Sequence, residues 1–183
     1  MSSSERSLRT GLRAVALVLA LAAAACTVRP LYSDAPIGPG GETTTAALAS
    51  VSVAPVTTRY AQEVRNQLIF LLYGGSGAPA APAYDLTLGV TERRDTTTTS
   101  QTTDENEPSS ASMTVISRYV LVDRATRKPI AQGTRQASAS FDVPRQEFAA
   151  YRAARDAENR AARELAEMLR LAIAQDLVRH GAK

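Results

Sequence analysis

Between Tyr84 and Phe141, apolar side chains recur at every second position in three runs, a pattern that commits the chain to a sheet with one buried face. Tyr84, Leu86, Leu88 and Val90 alternate with Asp85, Thr87, Gly89 and Thr91. Met113, Val115, Ser117, Tyr119 and Leu121 form the second run. The third, from Ile130 to Phe141, is weaker and carries Ala137, Ala139 and Phe141 on one side. A short earlier strand is expected at Val51 and Val53, stopped by Pro55.

Two stripes of helical period flank these strands. Tyr60, Val64, Leu68 and Leu72 recur every four residues with Leu71 beside them, and Thr57 or Thr58 can cap the helix. Gly74-Gly75-Ser76-Gly77 ends it. A glycine-rich loop cradles phosphate only where it leads into a helix N-terminus, and this one leaves a helix and runs towards Pro79 and Pro82. The second helix spans about Pro144 to Arg179, with Phe148, Tyr151, Ala161, Leu165, Leu169, Ala172, Ile173 and Leu177 as its stripe. Arg152–Asp156, Arg160–Glu164 and Arg163–Glu167 are spaced as surface pairs on its other side, each worth about 0.2–0.5 kcal/mol.

The order β-α-β-β-β-α buries every stripe in a two-layer α+β sandwich: a mixed sheet of about four strands with two helices on one face. The crossover through the first helix is expected to be right-handed. The polar stretch from Arg93 to Ser112 admits two readings. Thr96 to Thr99 favours strand and Asp104 to Pro108 favours a turn, giving a long hairpin that projects past the core. Its composition also suits a disordered loop.

The first 46 residues have another character. Arg6, Arg9 and Arg13 precede an uncharged run from Ala14 to Ala25, which ends at Cys26, the only cysteine. A basic start and an apolar run of 12 residues form a secretory signal peptide over residues 1–25. The run is shorter than the ~20 residues a membrane span needs. Residues 26–46, broken by Pro30, Pro36, Pro39 and several glycines, read as a flexible tether, leaving 47–183 as a single domain. Loss of the signal removes three arginines and Glu5, leaving 18 basic and 17 acidic residues, so +3 becomes +1. That balance argues against a nucleic-acid partner, which needs a strongly basic face. Of the mature basic residues only Lys128 and Lys183 are lysines, a bias that suits bidentate phosphate contacts or reflects a GC-rich genome.

The machinery of common catalysis is absent from the sequence. His180 is the only histidine and lies close to the C-terminus, so neither a zinc site nor a Ser-His-Asp arrangement can be assembled. Asp104 and Glu105 pair carboxylates only in a polar turn. No enzyme activity, metal or cofactor is expected.

Ala24, Ala25 and Cys26 resemble the processing site of bacterial lipoproteins, although Ala23 stands where Leu is usual. The resemblance implies that Cys26 bears a diacylglyceryl group and becomes the acylated mature N-terminus. More than one acyl chain is needed for stable anchoring. Thr27, in place of Asp, implies sorting to the outer membrane.

Cys26-Thr-Val-Arg-Pro-Leu-Tyr32 is similar to the start of the mature LPS-assembly lipoprotein (LptE) family of alphaproteobacteria. Val64-Arg-Asn-Gln-Leu68 resembles that family's first helix, and Phe141-Asp142 before an Ala/Arg-rich helix resembles its end. The resemblance implies a non-enzymatic partner in lipopolysaccharide export, lipid-anchored on the periplasmic side of the outer membrane. Such a protein plugs a large outer-membrane β-barrel and contacts lipopolysaccharide. The expected phosphate contacts are the loop-proximal cations Arg93, Arg94, Arg124, Arg127 and Lys128, with solvated surface charge as the competing reading. An auxiliary lipoprotein of an ABC-type envelope transporter is the alternative function.

Overall fold

A computed structural model describes residues 36–37, 41–102 and 105–181, and Cys26 lies outside them. Among the described residues seven elements follow one another: α1 (Thr44–Ala49), β1 (Val51–Val53), α2 (Arg59–Tyr73), β2 (Tyr84–Thr102), β3 (Glu105–Asp123), β4 (Pro129–Asp142) and α3 (Glu147–Gly181). The strands lie in the order β1-β2-β3-β4. β1 runs parallel to β2, while β2, β3 and β4 are antiparallel neighbours.

The alternation becomes a buried face. Val51, Val53, Leu86, Leu88, Met113, Val115, Tyr119, Leu121, Ala137, Ala139 and Phe141 are buried on the side that meets the helices. Their neighbours Thr87, Gly89, Arg118, Val120, Gln132, Thr134 and Gln136 are exposed on the opposite face. The mixed α+β architecture inferred from the periodicities is the one observed.

One helix more is present than the periodicities showed. α1, Thr44 to Ala49, straddles the expected boundary between the tether (26–46) and the domain (47–183). Thr43 caps it, its Oγ1 accepting from the Ala46 N–H at 3.2 Å. Ala47 and Leu48 are fully buried, so this turn belongs to the core. α2 begins after Thr58 and ends at Gly74, whose φ of 59° places it in the left-handed region that glycine adopts freely. Its buried residues are Ala61, Val64, Leu68, Leu72 and Tyr73, while Tyr60 and Leu71 are half-buried at the stripe's margin.

α3 carries 35 residues and is about 52 Å long. Glu147 stands in its first turn and Arg179 and His180 in its last, both favourable to the helix dipole. Ala161, Leu165, Leu169, Ala172, Ile173 and Leu177 are buried as the stripe requires. Phe148 and Tyr151 are not: they remain 74% and 54% exposed. Burial along α3 begins only at Ala157, so the helix starts more than two turns before it meets the rest of the core. A stripe read from spacing cannot show where its covering layer stops.

Of the two readings of residues 93–112, the backbone follows the hairpin. β2 and β3 pair from Tyr84↔Asp123 to Thr102↔Glu105, with register shifts around Thr98. The pairing of β3 with β4 ends at Ser110↔Asp142. Past that point β2 and β3 continue as a two-stranded ribbon for about 17 Å.

Candidate functional site

The cations singled out from the sequence fall into two groups. The first sits at the base of the ribbon, where Arg93 pairs with Thr114 and Arg94 with Met113. Alternation sends them to opposite faces. Arg93 lies on the open face, and its Nε meets Asp95 Oδ2 at 2.9 Å. Arg94 lies on the helix face, with its guanidinium 5.2 Å from the centroid of the Phe141 ring. That is within cation–π range, and Arg94 remains exposed.

The second group is the β3–β4 turn. Asp123 organises it: Oδ1 accepts from the Thr126 N–H at 2.7 Å and from the Thr126 hydroxyl at 3.0 Å. These bonds, backbone first, hold its carboxyl below the usual carboxylate range. The Asp123 N–H donates to the Lys128 carbonyl at 3.0 Å, closing the turn. Arg127 takes φ of 57°, a left-handed conformation uncommon for a side chain of its size. The turn thereby displays Arg127 and Lys128 to solvent. Arg124 is drawn back instead, its Nε 3.1 Å from Asp85 Oδ2.

The two groups are not brought together. Tyr84 pairs with Asp123 beside the turn, whereas Arg93 lies nine residues along β2. At ~3.3 Å per residue that is about 30 Å. A single phosphate cluster cannot engage both.

Two polar clusters join elements distant in sequence, and no periodicity marks either. In the first, Glu158 of α3 is buried between two guanidiniums: Arg59 Nη1 at 2.6 Å and Arg155 Nη1 at 3.3 Å. Arg59 also donates to Asn159 Oδ1 at 2.9 Å, so the start of α2 is pinned to α3. Glu92 of β2 faces the same cluster. Partial burial, then the Glu158 charge, raises its pKa, and Arg155 and Arg59 oppose the rise.

In the second, the Tyr119 hydroxyl of β3 donates to Asp176 Oδ2 of α3 at 2.7 Å, and Asp176 Oδ1 accepts from Arg179. Burial, followed by the Asp176 hydrogen bond, pushes the Tyr119 pKa up to about 12. Tyr119, Gly133, Arg135, Asp176 and Arg179 border a cleft of about 410 Å³, with His180 on its rim. An ion pair across elements leaves no periodic trace, so only the three-dimensional structure shows these contacts.

Among the described residues, no group of three or more His, Cys, Asp or Glu side chains could hold a metal ion. No described helix is long and apolar enough to cross a membrane.

Comparison with known proteins agrees with this architecture. The profile of the LptE family, described as Lipopolysaccharide-assembly, matches residues 48–173. No curated protein matches the chain. Among solved structures, a protein described as a lipoprotein from Caulobacter crescentus CB15 superposes with a TM-score of 0.58 at 23% identity, covering 73% of this chain and 95% of that one. The rare lipoprotein B from Shewanella oneidensis superposes with a TM-score of 0.51 at 13% identity, over 70% of this chain and 95% of its own. At these identities the superpositions speak for the fold alone. The profile covers well over half of the sequence, from the buried Leu48 of α1 to the buried Ile173 of α3: the chain belongs to the LptE family of lipopolysaccharide-assembly proteins.

Proposed function

We propose that this protein is a non-enzymatic outer-membrane lipoprotein, acylated at Cys26, that partners and plugs the LPS-assembly β-barrel and so supports delivery of lipopolysaccharide to the outer leaflet. The observation that carries the reading is the open face of the sheet. Thr87, Gly89, Arg118, Gln132, Thr134 and Gln136, with Val120 among them, make it broad, mainly polar and low in net charge. Barrel lumens are polar, so a plug needs hydrogen-bonding surface without a large apolar patch. The ribbon formed by the ends of β2 and β3 extends that surface beyond the helix-backed core.

Lipopolysaccharide phosphates are proposed to meet the chain at Arg127 and Lys128, the most freely displayed of the five cations, with Arg124 beside them. Arg93 and Arg94 form a separate contact at the ribbon base. Guanidinium–phosphate pairs are charge-assisted and strong where water is excluded. The periplasmic side of the outer membrane is the corresponding location.

The test is isolation of the protein from membranes in mild detergent after growth with labelled palmitate. Label at Cys26 and a large β-barrel in the purified complex are the expected results. Recovery of an inner-membrane ATPase complex with no barrel would favour the ABC-transporter alternative. Absence of label would remove the anchor.

A further inference from the structure

The chain enters the domain at one end of the sheet, and the ribbon leaves it at the other. Pro36 forms an isolated bridge with Thr43, and the Ile37 N–H donates to the Glu42 carbonyl at 2.8 Å. Gly181, in the last turn of α3, lies so close to the Ile37 carbonyl that a Cβ there would overlap it. Burial first, then the charges of Glu42 and Asp123, raise the pKa of Tyr84. The entering chain therefore stands beside the start of β2 and the end of β3. The Arg124 N–H donates to the Ala83 carbonyl at 3.0 Å and closes the same end. This is the end where the β3–β4 turn displays Arg127 and Lys128. β2 has 19 residues, so the ribbon tip lies about 60 Å away.

We infer that the domain sits in the barrel with its ribbon leading outward and its β3–β4 turn at the periplasmic mouth, so that Arg127–Lys128 and Arg93–Arg94 are the inner and outer of two phosphate contacts met in that order. This placement rests on the plug reading and gives it a direction. A closed wall bounds the lumen on every side. The barrel axis is then the direction left for an element longer than the ~40–45 Å of a whole bilayer.

Chain length selects which way round. Ten residues separate Cys26 from Pro36, a reach of at most ~36 Å. With the acyl chains in the periplasmic leaflet, the entry end cannot climb to the outer headgroups ~40–45 Å away. A domain turned over would leave the outer end of the lumen unfilled and the polar ribbon outside it. With the ribbon leading, the short tether suffices. The spacing of the cations fits the same placement. Arg93 and Arg94 lie about 30 Å beyond the turn, the thickness of a hydrocarbon core. When the turn is level with the inner headgroups, the ribbon base is level with the outer ones, where the phosphates of a delivered lipid come to rest.

The full chain, purified with its barrel from cells that carry a photocrosslinking amino acid at Ala125 or at Thr96, tests this. Both positions are exposed. Crosslinks from 125 are expected to map to the periplasmic turns of the barrel, and those from 96 to its outward half. R127Q/K128Q should lower the lipopolysaccharide adduct at both positions about fivefold, the equivalent of about 1 kcal/mol. R93Q/R94Q should lower only the adduct at 96. Crosslinks in the opposite sense, 125 outward and 96 towards the periplasm, overturn the placement. Equal losses at both positions in R93Q/R94Q overturn the order, because they would mean one site instead of two in succession. If the parent chain brings down no barrel, the plug reading itself fails and the placement falls with it.

Discussion

The Tyr119 hydroxyl donates to Asp176 Oδ2 across 2.7 Å, joining the last third of β3 to the last third of α3. Tyr119 is 3% exposed, and Asp176 keeps its second oxygen for Arg179. A chain of three polar groups, Tyr119 and Asp176 buried and Arg179 exposed, therefore locks the long helix onto the sheet at a set rotation.

Tyr119→Phe should cost about 1–3 kcal/mol, because the largely buried Asp176 carboxylate loses one of its donors. The measurement is the urea midpoint at pH 7. The substitution should also change the alkaline limb. A folded pKa of about 12 lies above the ordinary value of 10.0, so the folded state holds this proton more tightly than the unfolded chain. Its stabilisation is complete below pH 10 and is lost as pH rises towards 12. In Tyr119→Phe the fall in stability over that window should be shallower than in the parent. Tyr73 and Tyr84, also raised by burial, keep it from vanishing.

Gly133→Ala should act on the same bond from the other side. A Cβ at Gly133 would come 2.8 Å from both Cε1 and the hydroxyl oxygen of Tyr119. The ring must move, and Asp176 then loses its donor. A loss of about 1–3 kcal/mol is expected, of the size overpacking costs elsewhere. Because both substitutions act through one side chain, the double variant should lose less than the two singles added together. A double-mutant cycle in urea measures this.

Glu158 has two guanidiniums and should tolerate the loss of either. Arg59→Ala or Arg155→Ala alone should cost about 1 kcal/mol or less, since both arginines are partly exposed and screened. Removing both strands a carboxylate that is only 5% exposed, and the loss should exceed the two singles combined. Thermal midpoints of the three variants decide it.

The ribbon should be separable from the fold. Replacing residues 97–110 with Asn-Gly closes β2 and β3 at Thr96↔Ala111 with a two-residue turn. The pairing of β3 with β4 from Ala111 onward is untouched. The variant should keep its circular dichroism and cooperative unfolding but recover less barrel on purification. Loss of cooperative folding would mean that the ribbon belongs to the core.

What could be read from the sequence was whatever repeats along it. Leu86, Leu88, Val115 and Leu121 disclosed β2 and β3 because a half-buried strand marks every second residue. Val64 and Leu68 disclosed α2 in the same way. α1 stayed hidden because six residues of Thr, Ala and Leu are too few to show a period. Phe148 and Tyr151 continued the stripe of α3 in spacing but lie beyond the layer that buries its later turns. The five cations share a place near turns in the sequence, and only the register of β2 with β3 shows that about 30 Å separates their two groups. Tyr119–Asp176 and Arg59–Glu158 span 57 and 99 residues, distances over which no local pattern operates.

Depletion of the protein in growing cells, followed by quantification of lipopolysaccharide at the cell surface and of folded LPS-assembly barrel in the outer membrane, addresses the proposed role most directly. Both quantities should fall together and return when the parent chain, but not Cys26→Ser, is restored. Unchanged surface lipopolysaccharide with a normally folded barrel would contradict the role assigned here.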